Sequence, residues 1–303
     1  MAFLYALPGA VAEGLIWGLM AIGVYISYKI LDIADLTVDG SICTGGCVCA
    51  VLIAAGVPIW VAMIAAFLAG ALTGVITGLF HTALGIPAIL AGILTQLILY
   101  SVNLRILDGK SLMTIDPRAN DLVVHMSENI PSAITMVVLI AGVIVALWLF
   151  FYTEVGLTLK STGDNPNMSR AQGVNVKFNK VLGLAIANGI VALAGSLLAQ
   201  YKGSANINDG RGAIVIALAA IFIGLSVSLK IKPNFVVSLI GVVGGGVVYF
   251  IIYNFVILMG LDTSYLKMLS ALIVVVFLAV PYLKGEYFQK RKSILPEGGN
   301  DRA

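Results

Sequence analysis

The sequence predicts an all-α membrane protein, a polytopic bundle of about eight or nine transmembrane helices. Three observations carry this. The 303 residues are 60% hydrophobic and only 11% charged, where soluble domains average about 25% charged residues. Stretches of roughly twenty residues without Lys or Arg recur along the whole chain, the length that crosses a bilayer as a helix. The 33 glycines suit helices that approach closely in lipid.

Nine apolar segments follow in order, near 9–28, 37–56, 58–80, 88–102, 132–152, 181–201, 212–229, 234–258 and 265–282. The second and seventh are the least apolar and are expected to be broken or re-entrant if they are not plain crossings. No Lys or Arg precedes Lys29, so no cleavable signal peptide is expected. Few residues remain for a soluble catalytic domain.

Lys and Arg in the loops give an orientation. One side holds Lys29, Lys160, Arg170, Lys177, Lys180, Lys230, Lys232, Lys284, Lys290, Arg291, Lys292 and Arg302. The other holds Arg105, Lys110, Arg118, Lys202, Arg211 and Lys267. The richer side is expected to be cytoplasmic and to carry the C-terminus. With nine crossings the N-terminus is external; one crossing fewer brings it inside. The loop 103–131 then faces outward, long enough to receive a partner or to act as a lid.

The stretch 160–180, KSTGDNPNMSRAQGVNVKFNK, breaks the apolar pattern and is basic, with Asp164 its one acid. It also contains a helix start. Asn165 is an N-cap, Pro166 suits the first helical position, and Gly173 is the stop. The residues read as a short basic helix at the membrane surface, either an ordinary loop or a docking element for a soluble partner.

A trace of internal symmetry is present. Segment one runs into Tyr28-Lys29 and is followed by Asp39-Gly40; segment six runs into Tyr201-Lys202 and is followed by Asp209-Gly210. Five crossings separate the copies, so they would be inverted relative to each other. The expected organisation is one transmembrane domain, 1–303. Repeat one covers about 9–102, a linking helix 132–152, a basic loop 153–180, repeat two about 181–282 and a tail 283–303.

Polar groups at membrane depth are costly and therefore candidate sites. Glu13, Asp39 and Lys267 lie close enough to predicted ends to snorkel. Asp39 stands out, because Thr37, Ser41, Thr44 and Gly45-Gly46 surround it with small polar residues where a plain helix would carry Leu. Irregular backbone at that depth is tolerated only against protein or a water-filled cavity. Thr37, Asp39, Ser41 and Thr44 are therefore expected to line the path, with Thr95, Gln96 and Asn103 of segment four either joining them or bonding between helices.

Cys43, Cys47 and Cys49 have no histidine near them and read as packing residues rather than metal ligands. His81 and His125 have no ligating neighbours in sequence. No Walker-type phosphate loop, H-E-x-x-H or credible Ser-His-Asp set occurs, so no enzyme activity and no bound cofactor are expected. The chain reads as a conduit. Uphill transport would draw on an ion gradient or on a partner, and the scarcity of buried acids favours a partner ATPase.

Residues Thr158-Leu159-Lys160-Ser161-Thr162-Gly163-Asp164-Asn165-Pro166, Ala171-Gln172-Gly173-Val174-Asn175-Val176 and Ala192-Leu193-Ala194-Gly195 resemble the central signature of permeases from ABC importers of the branched-chain amino acid and ribose type. Lys160-Ser161-Thr162 stands where that pattern has Arg-Ala, and Met168-Ser169 where it has small alanines. Asp209-Gly210, the Ala-rich run 213–224 and Leu266-Lys267 also fit. Leu99-Tyr100-Ser101-Val102-Asn103-Leu104-Arg105 resembles a subgroup associated with tryptophan or tyrosine. The resemblance implies a permease homodimer in the bacterial inner membrane, an external solute-binding protein and a partner ATPase that binds ATP and Mg. It makes residues 165–173 the coupling helix, with Asn165, Pro166, Met168, Arg170, Ala171 and Gly173 as its docking residues. The expected cargo is a small amino acid. An ion-coupled secondary carrier or channel-like protein is the alternative.

Overall fold

A computed structural model describes residues 2–115, 122–126, 129–231 and 234–258, together with six isolated positions between 268 and 279. The ninth apolar segment, Lys267 and the C-terminal tail lie essentially outside the described residues.

The described chain is built from helices. α1 (Ala2–Tyr25) continues into a π-helical turn, Ile26–Ile30, and then breaks. α2 (Val38–Ala54), α3 (Ile59–Thr82) and α4 (Ala88–Ile106) follow. α3 and α4 start directly after Pro58 and Pro87, whose fixed φ and missing N–H suit a helix entrance. β1 (Leu112–Thr114) precedes α5 (Asn129–Phe151). α6 (Glu154–Asp164) and α7 (Pro166–Ala171) form the basic loop, and α8 (Val176–Lys202) follows. β2 (Ser204–Asn206) pairs antiparallel with β1, with Met113 opposite Ala205. α9 (Ala213–Ile231) and α10 (Phe235–Leu258) complete the described helices.

Among the described residues six helices are long and apolar enough to cross a membrane: α1, α3, α4, α5, α8 and α10. α2 and the apolar part of α9, Ala213–Ser226, are shorter. At 1.5 Å per residue, α2 rises only about 25 Å, less than the hydrocarbon thickness of about 30 Å. Segments two and seven, expected to be broken or re-entrant if not plain crossings, are these two helices; each is continuous but short.

α8 is the hub, packed against α1, α2 and α3. Glycine spacing explains how. Gly70, Gly74 and Gly78 of α3 lie against Asn188, Leu184 and Val181 of α8 in turn, so the two helices run antiparallel along a small-xxx-small seam. Gly14 and Gly18 of α1 seat against Val247 and Val243 of α10. Gly45 of α2 lies on the Ala192 backbone, where a Cβ would collide. α2 runs parallel to α8, because Ser41 meets Asn188 while Gly46 reaches Gly195 and Ala199.

The outward faces are apolar. Leu68, Leu72, Ile76 and Leu79 of α3 are exposed, a stripe along one helix face that solvent would not tolerate at this extent. Trp60 is exposed at the start of α3, and Trp148 and Tyr152 are exposed at the opposite end of the bundle. Such aromatic belts mark membrane–water interfaces.

Candidate functional site

Two helix breaks organise the interior. The first is 31–37, between the π-helical turn and α2. Its Asp35 is fully enclosed, 2% exposed. One carboxylate oxygen accepts the Thr37 N–H at 2.9 Å, a local turn that launches α2. The other accepts Asn188 Nδ2 at 2.6 Å. Asn188 Oδ1 in turn accepts from Ser41 Oγ at 2.6 Å, and Ser41 Oγ lies 2.6 Å from Thr73 Oγ1. Thr37 Oγ1 lies 2.7 Å from Thr77 Oγ1, which donates to Thr95 Oγ1 at 3.0 Å. α2, α3, α4 and α8 are thus joined at the break by side chains that satisfy one another, as burial requires.

The second break is 203–212, between α8 and α9. Gly203 ends α8 in the left-handed conformation at φ 64°, which suits a residue without Cβ. The chain then passes back along α2. Gly210 N–H donates to Cys43 Sγ at 3.1 Å, and Cys43 Sγ donates to the Ile207 carbonyl at 3.3 Å. Asp39 accepts Gly212 N–H at 3.0 Å and Ile214 N–H at 2.9 Å. It therefore caps α9 from another helix, with its negative charge at the positive end of that helix. Gly210 packs on the Asp39 carbonyl so closely that a side chain would collide. The Asp-Gly steps 39–40 and 209–210 meet in space.

Beside this junction opens a cavity of about 420 Å³, lined by Asp39, Gly40, Cys43, Gln96, Leu97, Tyr100, Asn103, Ile207 and Arg211. The Arg211 guanidinium stands over the Tyr100 ring, 5.9 Å from its centroid, a cation–π arrangement. Asn103 is 1% exposed, and its Oδ1 has no hydrogen-bond partner among the described residues. The volume lies within the range of small-molecule sites, about 300–1,000 Å³.

Of the residues expected to line the path, Asp39, Gln96 and Asn103 border this cavity. Thr37, Ser41 and Thr95 lie buried in the network around Asp35, and Thr44 bonds back to the Gly40 carbonyl of its own helix at 3.0 Å. Sequence reasoning missed Asp35, Asn188, Tyr100 and Arg211. Asp35 and Asn188 had a signal: a carboxylate flanked by apolar segments, and an amide inside an Ala-, Gly- and Ile-rich helix. Arg211 directly follows the second Asp-Gly step. Tyr100 is one of the eleven tyrosines of the chain and drew notice only as part of the run 99–105, with no role of its own assigned to it.

At the far end of the bundle lies the basic loop. Asn165 Oδ1 accepts Asn167 N–H at 3.1 Å and Met168 N–H at 3.0 Å, so α7 is capped within itself. Pro166 occupies its first position. Gly173 adopts φ 84° beyond its end. Met168, Arg170, Ala171 and Gln172 are exposed, while Ser169 is buried and bonds back to the Asn165 carbonyl at 3.0 Å. α6, next to α7, is packed against the bundle. Gly163 of α6 packs on the Ile30 carbonyl at the end of the π-helical turn, and Asn179 of α8 donates to Thr162 Oγ1 at 3.0 Å. α6 thus touches the chain directly at the start of the first break.

The sequence model of the family described as "Branched-chain amino acid transport system / permease component" matches residues 9–278. The chain belongs to this permease family. The chain is 34% identical over 286 residues, 94% of either chain, to the tyrosine transport system permease protein of Clostridioides difficile. It is 31% identical over 279 residues, 91% of this chain and 97% of the other, to an uncharacterized protein of Rickettsia prowazekii. The ribose import permease of Escherichia coli K12 is 25% identical over 264 residues, 86% of this chain and 80% of its own. No solved structure matches significantly. The permease is thus a multi-pass membrane protein of the type found in ABC transport systems.

Proposed function

We propose that the permease is the membrane subunit of a bacterial ATP-binding cassette importer for an amino acid, with α7 as the element on which the ATPase acts. The observation that carries this is the exposed, self-capped α7, presenting Met168 and Arg170 while its support, Gly163, rests on Ile30. A helix this short is stable only by its cap and its seat, and both are built. The tyrosine transport relative, matched over nearly its whole length, favours an amino acid over a sugar as cargo.

In this reading two permease copies form the pathway in the plasma membrane, with α7 and the C-terminus on the cytoplasmic side. ATP and Mg belong to the ATPase, and an external binding protein delivers the solute at the end that carries the β1–β2 pair. The helix order supports inverted-topology repeats. α1, break, α2, α3 is matched by α8, break, α9, α10, and α1 and α8 are antiparallel, since Tyr201 Oη meets the Gly9 carbonyl while Leu31 meets Gly183. Closure of the ATPase pair would press α7 and α6 against the end of α1 and shift the first break.

Reconstitution tests this. Arg170→Glu, in vesicles holding the permease with its ATPase, should lower ATP-driven uptake about tenfold or more, because it inverts a charge at a docking surface. The variant should melt like the wild type, since the side chain is exposed. Unchanged uptake would remove α7 from the coupling path.

A further inference from the structure

We infer that the end of the bundle that carries α7 binds an anionic phospholipid, whose phosphate is held by Lys180 and Lys177 at the start of α8 beside the turn between α3 and α4. The inference goes beyond the transport reading. It assigns a ligand to residues to which the docking role of α7 gives nothing to do.

The site is built where α3 and α8 pack together. Gly78 of α3 lies on Val181 of α8, which brings His81 beside Lys180. His81 Nδ1 lies 2.9 Å from the Ile86 carbonyl. A carbonyl only accepts, so Nδ1 carries the proton and Nε2 is left as an acceptor. Lys180 Nζ donates to that Nε2 at 3.1 Å. The imidazole is therefore neutral. It fixes the ammonium in place and gives it no negative charge. An ammonium has three N–H donors, and among the described residues the His81 bond is the one that this ammonium makes.

The surrounding elements supply no counter-charge. α3, α4, α7 and α8 contain neither Asp nor Glu. Asp164 closes α6, yet among the described residues the ion pair is Lys202–Asp209, at the other end of α8. The charge that acts on Lys180 is that of Arg170, which has the same sign. Lys177 is exposed and lies three residues before Lys180, on the same side of the helix. Both lysines sit near the positive end of α8, where the backbone dipole repels cations. Like charges gathered in this way are complete only with an anion from outside the chain.

The surroundings select a lipid as the source of that anion. The turn beside the lysines is apolar and exposed at Ala83, Leu84, Gly85 and Pro87, with Leu84 66% exposed. Trp148 and Tyr152 are exposed at the same end, at the level of a membrane–water interface. Headgroup phosphates lie at that depth, and acyl chains would cover the apolar turn. Basic positions between helix ends on the cytoplasmic side recognise anionic headgroups in this way. Free phosphate would gain the charge contacts and none of the apolar ones.

The test uses the full-length permease in nanodiscs of phosphatidylcholine mixed with phosphatidylglycerol, with the lipid that stays on the protein identified by native mass spectrometry. Phosphatidylglycerol should be retained in preference to phosphatidylcholine. Lys180→Gln and Lys177→Gln should each lower that preference about fivefold, the share of one cation at a headgroup. Lys180→Arg should keep most of it. Lys160→Gln, which removes an exposed charge from α6 at the same end, should leave it unchanged. A second measurement needs no variant. Amide hydrogen exchange of the wild type at 81–87 and 176–181 should be slower in discs containing phosphatidylglycerol than in phosphatidylcholine alone. Inorganic phosphate added to phosphatidylcholine discs should not slow it. Equal retention of the two lipids by the wild type, the same loss of preference in Lys160→Gln, or exchange at 81–87 and 176–181 that ignores phosphatidylglycerol would overturn the site. Protection by inorganic phosphate alone would overturn the lipid as its occupant.

Discussion

Replacing Asp39 by Ala removes the bridge between the two helix breaks. The side chain accepts Gly212 N–H at 3.0 Å and Ile214 N–H at 2.9 Å, and both donors belong to the start of α9, where no intrahelical acceptor exists. A hydrogen bond to a charged group contributes about 1.5–3 kcal/mol, and an N-cap about 1 kcal/mol. Gly212 is exposed, so water replaces part of that bond. The net local cost is therefore about 2 kcal/mol, dominated by Ile214. Since every 1.4 kcal/mol is tenfold, opening of residues 212–214 should become about thirtyfold more frequent. Amide hydrogen exchange followed by mass spectrometry in nanodiscs reads this directly. Asp39→Ala should accelerate exchange in 210–216 and leave α3 unchanged. Asp39→Asn, which keeps one acceptor oxygen but loses the charge, should give an intermediate rate. Exchange at 212–214 identical to wild type in Asp39→Ala would refute the cross-helix cap.

Three further outcomes follow from the packing. Asn188→Leu leaves the buried Asp35 carboxylate and Ser41 without their shared partner, at a cost of about 3 kcal/mol or more, and should lower the detergent melting temperature sharply; a wild-type melting curve would contradict the network. Gly74→Leu drives a side chain into the Leu184 backbone and should prevent folding in the membrane, read as loss of monodisperse protein by size exclusion, whereas Gly142→Leu, on an α5 position with open space around it, should be neutral. Asn165→Ala removes the cap of α7 at about 1 kcal/mol and should increase protease cleavage between 165 and 173 without changing the melting temperature of the bundle; equal cleavage would show that the seat alone holds α7.

Helix positions were legible because lipid imposes a single strong rule: an apolar stretch of spanning length must form a helix. α3, expected at 58–80, occupies Ile59–Thr82, and α10, expected at 234–258, occupies Phe235–Leu258. α7 was legible to within a residue, its end falling at Ala171 with Gln172 as the cap, since Asn165-Pro166 and Gly173 act through local backbone chemistry. α6 was not foreseen, because its Thr, Ser and Gly residues carry weak helix preference and its order comes from packing on Ile30 and α8. The β1–β2 pair joins residues about ninety positions apart, and nothing local announces it. In the cavity, Asp39, Gln96 and Asn103 drew notice because polar groups are rare at that depth. Arg211 read as an ordinary loop charge until the second break was seen to fold back along α2.

The account turns on α7 as the point where a separate ATPase moves this bundle. A cysteine placed at the exposed Met168 position, in a background whose buried native thiols at 43, 47 and 49 are left intact, tests it most directly through cross-linking in inside-out vesicles containing the whole complex. The account predicts an adduct with the ATPase subunit whose yield changes when ATP is added. Labelling of that cysteine by an impermeant maleimide from the external face alone, with no ATPase adduct, would contradict it.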